Sequence, residues 1–245
     1  MFIKTSKKEK NIITASIYYY DVDYNSNIAC NVLHVLEKYS FFPPEKMHAG
    51  KLTNNRFCFS NIHTKDIFIQ AYSEKNVFGI DMLSGDSATN SEYWRFFWTF
   101  TYLKNSKLVG ACQFKPWNVL TLQTTIGRLY DPNNYQWYLA CIKDLISLLK
   151  PFYASIDTID KKEKALTASP EKVFVPDKVQ EVYWGNYFGL SHCQKYGQEN
   201  LLSLPVYHAE KIGDGVFFTL TDSVFSSEQK RESFVRNLVK TILAI

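Results

Sequence analysis

"EVYWGNYFGLSHCQKYGQENLL", Glu181 to Leu202, places glycines at 185, 189 and 197 among aromatic rings and beside the run Ser191-His192-Cys193. The stretch reads either as a nucleophile site or as a rigid corner. Gly185 and Gly189 permit tight backbone turns, Trp184 and Tyr187 bring large packing surfaces with polar ends, and Asn186 can bond nearby backbone. "LSHCQKYG" then makes a short helix with Ser191 near its start and Gly197 as its C-cap. These turn and cap signals favour the corner, and the corner fixes how the rest of the C-terminal part is read.

Downstream, "PVYHAEKIGDGVFFTLT" gives two strands around Gly213-Asp214-Gly215, a hairpin signal. Ser226 and Gln229 have capping-box spacing. Phe234, Val235, Leu238, Val239, Ile242 and Leu243 mark an amphipathic helix over Ser227 to Leu243. Upstream, "FYASIDTID" reads as a strand, and Asp131-Pro132 opens a helix to Leu149 whose apolar positions run from Tyr135 to Leu149 at helical spacing. "IITASIYYY" suits a first strand, followed by a helix with Ile28, Ala29, Val32, Leu33, Leu36 and Tyr39 on one face. Between Lys51 and Leu129, "RFCFS", "EYWRFFWTFTYL", "KLVGACQFK" and "NVLTLQTTIGRL" read as neighbouring antiparallel strands, while "TKDIFIQAYSEK" fits helix and strand equally.

Strands and helices alternate without a regular βαβ rhythm, so the expected class is α+β, a mainly antiparallel sheet with two long amphipathic helices. Strands followed by a long helix in each half allow two similar lobes. The expectation is one domain over residues 1–245, with the polar connector Lys161 to Lys178 as the candidate subdivision.

The composition, 46% hydrophobic with 16% aromatic, supports a globular core and leaves rings in excess for binding faces. The net charge of +4 is spread thinly apart from "KTSKKEK" near the start, and without a basic stripe nucleic acid is not an expected partner. Five widely spaced cysteines, Cys30, Cys58, Cys112, Cys141 and Cys193, with no CxxC pair, suit free, mostly buried thiols in a reducing compartment. The start lacks a secretion-signal pattern and no apolar run reaches about 20 residues, so the expected location is cytoplasmic, with no membrane partner.

Chemical motifs are sparse. Asp21, Asp23 and Asn25 occupy the first ligand positions of a calcium loop, but Ser26 and Val32 stand where the loop needs glycine and glutamate. "GLSHC" meets the nucleophile elbow G-x-S-x-G only in part, because Cys193 holds the second glycine position. Cys193 as nucleophile would need a distant base such as His208 or His34, since adjacent side chains such as that of His192 seldom face each other. The histidines, with His48 and His63, show no metal-ligand spacing, and no glycine-rich phosphate loop occurs; no catalytic residue, cofactor or metal is assigned. Asp157 and Asp160 read as strand-end and turn residues.

The order W-G-N-Y-F-G, then K-Y-G-x-E-x-L-L, then a proline and "VYHAEKIGDGVFFTLTD", resembles the C-terminal block of bacterial polymorphic-toxin immunity proteins of the immunity protein 52-like type. The resemblance rests on Trp184, Asn186, Tyr187, Gly189, Gly197, Leu201, Pro205, Asp214 and Gly215 and covers about Val182 to Ile245. It implies a cytosolic, non-catalytic α+β protein that binds and neutralises a cognate toxin, with Trp184, Asn186, Tyr187, Gly189, Gly197, Asp214 and Gly215 as a structural or interaction motif. The alternatives are an enzyme whose site assembles from distant residues around Cys193 and His208, and a structural interaction subunit.

Overall fold

The computed structural model describes residues 12–20, 26–53, 56–74, 77–85, 93–100, 118–158, 179, 181–224 and 229–244. The basic start, the Asp21/Asp23/Asn25 turn, the 107–115 strand with Cys112, Asp160, the 161–178 connector, Ser226 and Ser227 lie outside these residues. Among the described residues the fold is α+β and mainly sheet, with ten strands and seven helices. Among them, too, no helix is long and apolar enough to cross a membrane. The chain divides into two compact units, residues 17–149 and residues 1–16 with 150–245. Strand β1, Ile12–Tyr19, spans the division.

In the first unit, strands β2 (Lys46–Thr53), β3 (Arg56–Asn61), β4 (Val77–Ser84), β5 (Trp94–Phe100) and β6 (Asn118–Thr125) lie in the order β3-β2-β4-β5-β6. Every neighbouring pair among these five is antiparallel. In β6 burial alternates strictly, with Asn118, Leu120, Leu122 and Thr124 inward, as a strand period of two requires. Trp98 anchors the core: its indole N–H donates to the Tyr19 hydroxyl at 2.7 Å, and Tyr72 stacks on it at 4.5 Å.

Four helices complete this unit: α1 (Ser26–Lys38), α2 (Lys65–Ser73), α3 (Ile126–Leu129) and α4 (Pro132–Leu149). The segment that fitted helix and strand equally is α2. Thr64 caps it by accepting the Ile67 N–H, and Phe68, Ala71 and Tyr72 face inward. Helix α4 starts at Pro132 beside Asp131, whose carboxylate accepts the Asn133 N–H at 2.8 Å, and it buries Tyr138, Cys141, Ile142, Leu145, Ile146 and Leu149. The strand expected over "NVLTLQTTIGRL" ends at Thr125. The last four residues form α3, where Leu129 is buried and the Arg128 carbonyl accepts from the Asn134 side chain, tying the turn to the start of α4.

In the second unit, strands β7 (Tyr153–Thr158), β8 (Gly185–Phe188), β9 (His208–Ile212) and β10 (Gly215–Thr219) lie in the order β7-β8-β10-β9, all antiparallel. The register Ile212↔Gly215 leaves Gly213 and Asp214 as a two-residue turn, with Gly213 at φ +57° as such hairpins demand. Helices α5 (Leu190–Tyr196), α6 (Gln198–Leu202) and α7 (Gln229–Leu243) belong to this unit. Its core gathers Val182, Phe188, Leu201, Val216, Phe218, Leu220 and Val239.

Candidate functional site

The 181–202 stretch is a packed corner in which nearly every polar group is answered. Trp184 is fully buried. Its indole donates to Thr221 Oγ1 at 3.0 Å, its backbone N–H donates to Asp157 Oδ2 at 3.1 Å, and its carbonyl accepts the Leu220 N–H at 2.8 Å. Asn186 closes a local loop, accepting the Tyr183 N–H at 3.0 Å and donating back to the Tyr183 carbonyl at 2.7 Å. The Tyr187 hydroxyl crosses to the Ile212 carbonyl at 3.2 Å, and burial pushes its pKa up to about 12.

Two glycines are set by close approach. A Cβ on Gly189 would lie 2.4 Å from the Pro151 carbonyl oxygen, and one on Gly215 would meet the Tyr187 ring at the same distance. Gly197, at φ +83°, ends α5. The structure thus brings Trp184, Asn186, Tyr187, Gly189 and Gly215 into one packed body, with Gly197 at the end of α5 and Asp214 exposed in the hairpin turn. Because Trp184, Asn186 and Tyr187 are buried, they shape the unit rather than touch a partner directly.

Asp157, read from the sequence as a strand-end residue, is the last but one residue of β7 and is fully buried. The oxygen that accepts the Trp184 N–H also accepts Arg236 Nη2 from α7 at 3.1 Å. Arg236 reaches the Val182 carbonyl and the buried Glu232 as well, and Lys240 pairs with Glu181 at 2.6 Å. Burial opposes the guanidinium charge, but Asp157 and Glu232 outweigh it and raise the Arg236 pKa. Sequence reasoning missed this cluster because Glu232 and Arg236, four residues apart on a helix, look like an ordinary surface pair.

The α7 face is also corrected. Val235, Val239 and Leu243 are buried with Glu232, whereas Phe234, Leu238 and Ile242, counted with them as one apolar face, are 69%, 37% and 51% exposed. The two triplets are adjacent stripes on a 3.6-residue period, and the ion cluster takes the other flank of the buried seam.

The residues of the enzymatic alternative each have partners of their own. Cys193 is buried, its Sγ set 3.4 Å from the Phe188 carbonyl, and burial raises its pKa, which disfavours the thiolate a nucleophile needs. His192 sits 3.1 Å from the Phe152 carbonyl and stacks on Phe188. His208 pairs with Glu210 at 3.3 Å on the exposed strand β9, and His34 belongs to the other unit. Cys30 and Cys58 are exposed free thiols, and Cys141 is buried. Among the described residues, no group of three His, Cys, Asp or Glu side chains is placed to hold a metal ion. A cleft of about 370 Å³ in the first unit is lined by Phe42, Pro43, Pro44, Met47, His63 and Lys65 among others, and neither Cys193 nor His208 lines it.

No family model matches the chain. No curated protein matches it in sequence either. Among solved structures it is similar to Pseudomonas aeruginosa T6SS protein PA0821, with a TM-score of 0.66 and 12% identity, over 96% of this chain and 73% of that one. The likeness is one of fold.

Proposed function

We propose that this chain is an immunity-type protein that binds and neutralises a cognate bacterial toxin in the cytoplasm, without turning over a substrate. The observation that carries the reading is the fold shared with a T6SS protein across 96% of the chain. The W-G-N-Y-F-G block, read from the sequence as immunity-like, adds to it. The buried, protonation-favouring setting of Cys193 supports a packing role over a nucleophilic one.

The test is co-expression in a toxin-sensitive host with the toxin encoded beside this chain's gene. Cells carrying both should survive, and the two proteins should co-purify as one complex. Cell death despite soluble expression of this chain, or survival through chemical modification of the toxin without a complex, would overturn the reading.

A further inference from the structure

Helix α1 buries Ala29, Val32, Leu33 and Leu36 on one face. Its opposite face holds a pair that packing does not explain. Cys30 is an exposed free thiol, and the His34 side chain, one helical turn further on, is 89% exposed. Residues four apart on a helix lie one above the other with Cβ atoms about 5–6 Å apart, so a thiol and an imidazole at this spacing can converge on one atom between them. Spacing among the histidines alone does not show the pair, because one of its two donors is sulfur.

The surrounding charges suit a cation held there. Glu37, one turn beyond His34, sets a carboxylate oxygen 4.0 Å from His34 Nδ1, and its other oxygen is held by Lys65 from the start of α2. A carboxylate beside one ring nitrogen favours the proton on that nitrogen and leaves Nε2 to bind a metal. Lys38, four residues past His34, is turned to Asp144 at 2.7 Å. Two ligands at i and i+4 on one helix face are also how the H-E-x-x-H arrangement holds zinc. A thiolate with an imidazole is a soft pair, which selects zinc-like ions over Mg²⁺ and Ca²⁺, whose preferred ligands are oxygens.

We propose that Cys30 and His34 form a two-ligand chelate for a divalent metal of the zinc class on the outer face of α1. Cys30 Sγ and His34 Nε2 each give an electron pair to the metal, and the thiol proton leaves to solvent. With two protein ligands the site is open, unlike a closed four-ligand structural zinc site, and water fills the other positions. The site belongs to the first unit and uses no residue of the 181–202 corner, so it stands independently of the immunity reading.

The experiment titrates Co²⁺ into the reduced, metal-free full chain and follows the thiolate-to-cobalt charge-transfer band. The wild type should develop the band, Zn²⁺ should displace the cobalt and Mg²⁺ should not. Zn²⁺ should also slow the reaction of Cys30 with a thiol reagent in the native protein and leave that of Cys58 unchanged. Cys30→Ser should abolish the band, and His34→Ala should weaken binding by more than about 10-fold, with a smaller loss for Glu37→Gln, which removes the charge beside the ring but no ligand. Cys30 and His34 are solvent-facing, so their metal-free variants should match the wild type in circular dichroism and melting temperature. No band at about 1 mM Co²⁺, where even a weak chelate fills, overturns the proposal. So does equal affinity in His34→Ala, which makes Cys30 a thiol acting alone, and so does a band that Cys30→Ser retains or Cys58→Ser removes, because the metal then sits elsewhere.

Discussion

Trp184 is fully buried and its indole donates to the Thr221 hydroxyl, whereas its contacts to Asp157 and Leu220 are backbone bonds that an alanine keeps, so the cost of its removal is that of a large cavity. Trp184→Ala should lower stability by about 3–5 kcal/mol, measured by urea denaturation. Gly189 offers a sharper contrast. Its φ of −73° is open to any residue, so the cost of Gly189→Ala arises from the added methyl meeting the Pro151 carbonyl. That overpacking should cost about 1–3 kcal/mol. Cys193→Ser should keep both the fold and protection of cells, since the thiol's polar contacts are weak ones to backbone, at the Phe188 carbonyl and at Val216, which a hydroxyl can also make. A well-folded Cys193→Ser protein that no longer protects would contradict a non-catalytic role.

At the scale of elements, the attachment of α7 depends on a buried charge as much as on apolar contact. Removing Arg236 leaves Asp157 and Glu232 buried without their guanidinium. Arg236→Ala should therefore cost about 3–5 kcal/mol. Lys240 pairs with the partly exposed Glu181, and Lys240→Ala should cost under about 1 kcal/mol. Equal losses in chemical denaturation would show that the buried cluster has no special weight. Helix α4 provides an independent case: Asp131→Ala removes the acceptor for the Asn133 N–H and should cost about 1 kcal/mol.

At the scale of the whole molecule, burial raises the pKa values of Tyr187, Cys141 and Cys193 together. The folded chain holds these protons more tightly than the unfolded chain, so their contribution to stability is complete below the unfolded values. It is lost as pH climbs from about 8.5, where thiols in an unfolded chain ionise, through about 10 for the phenol. The melting temperature should fall between pH 8 and 11, and Tyr187→Phe should flatten the upper part of that fall. The thiols report the same burial: Cys30 and Cys58 should react with a thiol reagent in the native protein, and Cys141 and Cys193 only on unfolding.

The sequence by itself determined what local physics controls. The α+β class, the span of α4 from its Asp131-Pro132 start, the hairpin at Gly213-Asp214 and the C-cap at Gly197 were all readable, because caps, turns and periodicity act within a few residues. Other features needed the tertiary structure. Strands β2 and β4 carry glycines and polar residues that blur their pattern, and only pairing across the sheet defines them. Asp157, Glu181, Glu232 and Arg236 come from β7, the corner and α7, far apart in sequence, and a charge is buried only where distant partners converge on it. Which stripe of α7 faces the core and which faces solvent was likewise undecidable from spacing, since Phe234/Leu238/Ile242 and Val235/Val239/Leu243 repeat with the same period. The ion cluster, set by tertiary contact, fixes the rotation of the helix and so leaves the larger apolar side chains outside.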